Sequence, residues 1–242
     1  MSAKYEKNIY LAMLAEQCNR FDEMVQFLED MLKSREKDLS NDERNLLSIA
    51  YKNSVSSRRT ALRTIIAYET KEKKKETSTF FPFIQEHHKK VQDELYKACQ
   101  NVLNVIDQTL LKRAEDAEAK VFYSKMKGDY NRYVAEYAEG DLKKQVSDGA
   151  LASYKEASEP AKGLPVLNPI ALGLALNFSV FYYEVMNDHD TACKIADEAL
   201  TNANKELPNI DEDAEENRDA VSIVNLLKEN LEMWKSETED QN

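Results

Sequence analysis

The 242-residue chain contains only five glycines and five prolines. Turns, hairpins and bulges draw chiefly on those two residues, so a loop-rich or β-rich fold is poorly supplied, whereas long helices joined by few connections need little of either. Cysteine is scarce as well: Cys18, Cys99 and Cys193 are odd in number and far apart, which opposes a disulfide framework and points to free thiols in the cytosol. The most apolar run, residues 172 to 185, is interrupted by Asn177, Ser179 and Glu184 and is too short to span a bilayer, so no membrane partner is expected. Residues 1 to 10 lack the apolar stretch of a secretion signal. Positive charge is in deficit too, with a formal net charge of -11, which excludes the broad basic surface of a nucleic-acid binder. There is no GxGxxG, no GxxxxGKS/T and no GxSxG, and His87, His88 and His189 fall at no zinc-ligand spacing with each other or with the cysteines. No catalytic residue, metal site or cofactor is therefore expected.

What the chain does have is 42% hydrophobic and 32% charged residues, with much Leu, Ala, Glu and Lys, enough for a sizeable core in an all-α fold. Helices are expected over 3 to 18, 21 to 37, about 41 to 70, 82 to 111, 115 to 138, 143 to 159, 169 to 187, 190 to 207 and 212 to 235. Their punctuation is a break near Asn19, a Ser40/Glu43 capping box, a lysine-rich loop over 71 to 79, first-turn Pro82, Gly140 as a stop, Pro160 and Gly163 as breakers, and an Asn168 cap. No period of about 34 residues recurs, so a tetratricopeptide-like, phosphorylation-independent scaffold is the alternative only.

Charge is unevenly spread, and any anion site must be local. Residues 41 to 80 hold nine Lys and Arg against five Asp and Glu, whereas residues 206 to 242 hold three against twelve. In the third helix Lys52 and Arg59 are seven residues apart, about two turns, so they share one stripe with charges roughly 10 Å apart along the axis. Lys52, Arg58, Arg59 and Arg63 taken alone fit a solvated helix face better than a shared anion site. A second stretch, VFYSKMKGDYNRY, repeats the device with Lys125 and Arg132 seven apart and Tyr133 beside the arginine.

RNLLSIAYKN followed by RR, then KVFYSKMKGDYNRY, then NPIALGLALNFSVFYYE and LLKENLEMW, resemble the signature segments of the 14-3-3 family of phosphoserine/phosphothreonine-binding adaptors, in that family's order and over nearly the whole chain. The resemblance implies a single domain over 1 to 236, with nine antiparallel helices stacked into a concave right-handed cup, followed by a disordered acidic tail over 237 to 242. It implies a phosphate pocket of Lys52, Arg59, Arg132 and Tyr133. Such a pocket suits a group with nearly two negative charges and three acceptor oxygens, because the arginines offer bidentate forks and the lysine a point charge.

A peptide groove is implied around that pocket, from Lys125 with Leu176, Asn177, Val180 and Glu184 on the seventh helix and Leu226, Asn230, Met233 and Trp234 on the ninth. Asn177 and Asn230 have amides able to clamp an extended peptide. The implied partners are client proteins phosphorylated in Arg-x-x-pSer-x-Pro-like motifs, and a second copy of the chain or a paralogue. The dimer interface would take Leu14, Cys18, Arg20, Glu23, Ala61, Ile65, His87, Lys90 and Glu94, with Arg20 meeting Glu94 and Glu23 meeting Lys90 across it. At Ala61 many members of the family have a serine whose phosphorylation splits the dimer.

Overall fold

A computed structural model describes residues 3–75 and 78–239. Among the described residues every regular element is helical. The nine long helices are α1 (Ala3–Gln17), α2 (Phe21–Lys33), α3 (Asn41–Lys73), α4 (Phe81–Val105), α5 (Ala117–Ala135), α6 (Gly140–Ala161), α7 (Pro169–Glu184), α8 (His189–Glu206) and α9 (Arg218–Glu239). The chain divides into two compact units, Met1–Arg113 and Ala114–Asn242. Among the described residues no helix is long and apolar enough to cross a membrane.

In the first unit α2 packs against α1 and α3, and α3 against α4. The first turn works without glycine: Asn19 takes φ 55° and lets the Arg20 amide reach back to the Ala15 carbonyl at 2.8 Å. Helix α2 ends four residues earlier than its pattern suggests, where Ser34 Oγ donates to the Met31 carbonyl at 2.8 Å and competes with the next helical turn. The α3 capping box forms as expected, the Glu43 carboxylate accepting from the Ser40 amide at 2.7 Å and Ser40 Oγ from the Glu43 amide at 3.4 Å. That helix then runs on through the first lysines of the expected loop to Lys73. Of the loop, Glu76 and Thr77 lie outside the described residues. Beyond α4 the helix widens to a π-type turn over Ile106–Leu110 and closes at Leu111–Arg113. The unit closes around Leu28, Leu47, Tyr51 and Leu95, all essentially fully buried.

In the second unit α5 packs most extensively on α6, with α7 against both, and α8 and α9 continue from α7. One buried cluster joins Val121, Tyr154, Phe178 and Phe181; another joins Leu172, Leu200, Leu227 and Trp234, with Ala192, Ala196 and Ala203 bringing α8 close. Asn168 caps α7 as expected, accepting from the Ile170 and Ala171 amides at 3.0 and 3.2 Å.

Several boundaries differ from the sequence reading. Helix α5 ends at Ala135, and Gly140 does not stop it: at φ 56° the glycine opens α6. Pro160 does not break α6, because it stands in the last turn, where few backbone bonds remain to be lost. Helix α8 starts at His189, one residue before the expected 190, capped by Asp188, which accepts from the Thr191 amide at 3.0 Å. Helix α9 starts at Arg218, after short 3-10 turns at Leu207–Asn209 and Glu215–Asn217, and continues through Glu239. The tail expected from residue 237 is therefore helical at its start, and residues 240 to 242 lie outside the described residues.

Candidate anion-binding site

Helix α3 presents Lys52 exposed and Arg59 half-buried on one stripe. Arg58, one residue earlier, is turned about 100° from Arg59 and is committed elsewhere. Its Nη1 and Nη2 each meet an Asp22 oxygen of α2 at 2.9 Å, and Ser54 Oγ donates to the same carboxylate at 2.6 Å. That fork of hydrogen bonds holds the Asp22 carboxyl below its ordinary range and raises Arg58. Of the four cations read as one helix face, Arg58 is thus committed to an ion pair with the neighbouring helix.

In the second unit the polar groups converge on a residue that spacing arguments passed over. Asp129 is 6% exposed. Its Oδ1 accepts from Tyr154 Oη at 2.6 Å and from Asn177 Nδ2 at 2.8 Å, and its Oδ2 from Lys125 Nζ at 2.9 Å. Arg132, 7% exposed, places Nη2 3.5 Å from Asp129 Oδ1, donates from Nε to Tyr154 Oη at 3.2 Å, and has Nη1 3.8 Å from Glu136 Oε1. Its guanidinium carbon lies 4.8 Å from the centre of the Tyr133 ring, a cation–π contact.

Charge states follow from these contacts. Burial pushes the Asp129 carboxyl up, but the Lys125 and Arg132 charges and the Tyr154 and Lys125 hydrogen bonds outweigh it and hold the group ionised below its ordinary range. Burial likewise opposes the Arg132 charge, and the Tyr154 oxygen, Asp129 and Tyr133 overcome it, so the guanidinium stays charged. Tyr154, raised first by burial and then by Asp129, remains a protonated donor. The result is a cation held in a fixed orientation in a nearly dry setting, which suits a multiply charged oxyanion.

Lys125, Arg132, Tyr133 and Asn177 are thus brought together. Asn177 has given one amide hydrogen to Asp129, which leaves its second N–H and its carbonyl oxygen for a ligand. Further along α7, Leu176 and Val180 are half-buried against the core and Glu184 is exposed. On α9, Leu226 and Met233 are 47% and 48% exposed and Asn230 is half-buried. Trp234 departs from expectation: it is 2% exposed and its ring stacks on Tyr183 at 4.6 Å, so it is a core residue and not part of an open groove.

The missed residues differ in how legible they are. Asp129 stands four after Lys125 and three before Arg132, on their stripe, a spacing that pairs charges on a helix. Tyr154 comes from the next helix and leaves no local signal.

Among the expected interface residues, Leu14, Cys18, Ala61, His87, Lys90 and Glu94 are exposed and Ile65 is half-buried. Arg20 and Glu23 are ion-paired with each other within the chain, one turn apart, and both remain partly exposed. Tyr10 and Met13 join Leu14 as exposed apolar residues on α1. Between α3 and α4 lies an apolar cavity of about 330 Å³ lined by Thr64, Ile65, Tyr68, Phe80, Phe83, Ile84 and His87.

The family model described as 14-3-3 protein matches residues 11–235. A 14-3-3 protein homolog of Trichoderma harzianum is 46% identical over 96% of this chain and 88% of its own length. The 14-3-3-like protein GF14 psi of Arabidopsis thaliana is 44% identical over 98% of this chain and 92% of its own. 14-3-3 protein 3 of Entamoeba histolytica is 44% identical, with both chains covered completely.

Proposed function

Because this chain belongs to the 14-3-3 family, we propose that it is an adaptor that binds phosphoserine and phosphothreonine motifs of client proteins and so regulates their activity, location or interactions. Family membership supports the phospho-binding adaptor role in general and indicates no catalytic family. The observation that carries the finer reading is Arg132, a buried guanidinium kept charged and pointed by Asp129, Tyr154 and Tyr133. In this reading Lys52, Arg59, Arg132 and Tyr133 take the phosphate. Lys125, Leu176, Asn177, Val180, Glu184, Leu226, Asn230 and Met233 take the flanking peptide in an Arg-x-x-pSer-x-Pro-like motif.

The protein acts in the cytosol as a homodimer, or as a heterodimer with a paralogue. The exposed α1 residues Tyr10, Met13 and Leu14 and the apolar cavity beside Ile65 and His87 support that assembly, since exposed apolar surface is what a two-fold pair would cover.

The test is fluorescence anisotropy with one labelled Arg-x-x-pSer-x-Pro peptide, phosphorylated and unmodified. Tight binding of the phosphorylated form alone is expected. Equal affinity for both would overturn the reading in favour of a phosphorylation-independent helical scaffold.

A further inference from the structure

We infer that Asp129, braced by Tyr154, is a positioning residue of the phosphopeptide site, and that removing its negative charge weakens phosphate binding although it makes the site more positive. The inference rests on the phosphopeptide reading above and adds to it a residue that does not itself touch the ligand.

A carboxylate beside an anion site opposes the anion by Coulomb repulsion. A view based on charge alone therefore says that neutralising Asp129 tightens binding. The geometry points the other way. Both Asp129 oxygens are engaged, Oδ1 by Tyr154 and Asn177 and Oδ2 by Lys125, and Arg132 Nη2 stands 3.5 Å away. Three side chains assigned to the ligand site are thus held by a single buried group. A free arginine or lysine samples many rotamers, and ordering it when the ligand arrives subtracts from affinity; here that ordering is built into the unliganded fold.

Tyr154 completes the brace. Its hydroxyl donates to Asp129 and accepts from Arg132 Nε, so its single oxygen fixes both members of the pair. The ring is fully buried and stacks on Phe178 at 5.2 Å, which keeps the hydroxyl from following a mobile partner. Asparagine at 129 keeps the shape and can still accept from Tyr154 and Asn177 through Oδ1. It turns an amide toward Lys125 Nζ, where an acceptor stood, and no longer offers charge to Arg132.

The experiment uses the full chain, the labelled phosphorylated and unmodified peptides, and the variants Asp129→Asn, Arg132→Ala and the double variant, each checked for helix content by circular dichroism. Phosphopeptide affinity is expected to fall at least about tenfold in Asp129→Asn, while in the Arg132→Ala background the same change costs less than about threefold, because the guanidinium among the three side chains it positions is gone. Unchanged or tighter binding by folded Asp129→Asn overturns the inference and leaves the adaptor function standing.

A ligand-free arm separates the two readings. In protein labelled with ¹⁵N-arginine, Arg132 is expected to give a distinct, slowly exchanging Nε–H signal that is lost in Tyr154→Phe and broadened in Asp129→Asn. If wild-type protein fails to prefer the phosphopeptide, the proposed function falls and this signal alone decides the positioning of Arg132. A signal unaffected by both substitutions overturns it.

Discussion

A Cβ added at Gly128 would stand 2.6 Å from Cε1 and 2.7 Å from Cδ1 of the Tyr154 ring. Helices α5 and α6 therefore approach so closely that only hydrogen fits on the α5 side, and that closeness puts the Tyr154 hydroxyl within reach of Asp129 and Arg132. The obstructing atoms belong to a buried ring and not to the end of a flexible chain. Gly128→Ala gains about 1 kcal/mol of helix propensity but meets an overpacking cost of about 1 to 3 kcal/mol and a displaced tyrosine. Net destabilisation of up to about 2 kcal/mol is expected in urea unfolding followed by Trp234 fluorescence. Gly149→Ala, whose added Cβ meets the Asn131 side-chain oxygen at 3.2 Å, should cost less, and Gly163→Ala, with 3.6 Å to the Pro160 carbonyl, least. Any other order of the three would contradict this account of the interface.

Ser40 carries the capping box at the head of the 33-residue helix α3. Ser40→Ala removes the acceptor for the Glu43 amide and should cost about 1 kcal/mol, whereas Ser40→Gly should cost only a few tenths. Urea midpoints of the two variants followed by circular dichroism check the difference. Equal midpoints would mean that the box contributes nothing beyond the propensity of the residue.

The helical class, the Ser40 and Asn168 caps and the Lys125/Arg132 stripe were legible because each depends on residues within a turn or two of each other. What escaped depends on other helices. The commitment of Arg58 to Asp22 spans 36 residues, and the brace from Tyr154 to Asp129 spans 25. Trp234 looked like a groove residue from its neighbours Asn230 and Met233, and is core because Tyr183 of α7 lies flat against it. The ends of α2 and α5 were misjudged for a different reason: Ser34 stopped one helix, and a left-handed glycine served the next helix and not the previous one.

Arg132→Lys keeps the charge and discards the fork. The variant loses the Nε bond to Tyr154 and the planar contact with Tyr133. With each charged hydrogen bond contributing about 1.5 to 3 kcal/mol, phosphopeptide affinity should fall at least about tenfold despite the conserved charge. Anisotropy titration decides; a change under twofold would show that charge alone suffices.

Asp129 also links stability to pH. Its folded-state carboxyl is held below its ordinary value of 3.8, so the stability it contributes is fully present above that value and is lost as pH falls through the lower folded-state value. Wild-type protein should therefore exceed Asp129→Asn in stability at neutral pH, and the gap should narrow below about pH 4, where Asp129 of the unfolded chain is protonated. Urea unfolding at pH 7, 5, 4 and 3, read by Trp234 fluorescence, tests this. A gap that stays constant across the series would show that the Asp129 carboxyl titrates alike in the folded and unfolded chain, and a gap that widens toward acid would show that it is held protonated in the fold.

The proposed dimer can be tested without disturbing the protomer, because Arg20 and Glu23 pair with each other inside one chain. Exchanging them, Arg20→Glu with Glu23→Arg, keeps that internal pair and reverses the signs offered to Lys90 and Glu94 of a second copy. The exchanged variant should keep the wild-type helix content by circular dichroism and yet sediment as a monomer at micromolar concentration, since like charges then face each other across the pair. Ala61 adds a second probe. It is exposed on α3, four residues before cavity-lining Ile65, and cannot be phosphorylated. Neighbouring Thr60 is turned from it by about 100°, so a phosphate there would not enter the same contact. Ala61→Asp should loosen the dimer by at least tenfold, while treatment of the wild-type protein with basophilic kinases should leave its mass in solution unchanged. A wild-type protein that is already monomeric at micromolar concentration would remove the interface from the account, and dissociation traced by mass spectrometry to a phosphate between Ser54 and Thr64 would show that the α3 switch survives without a serine at position 61.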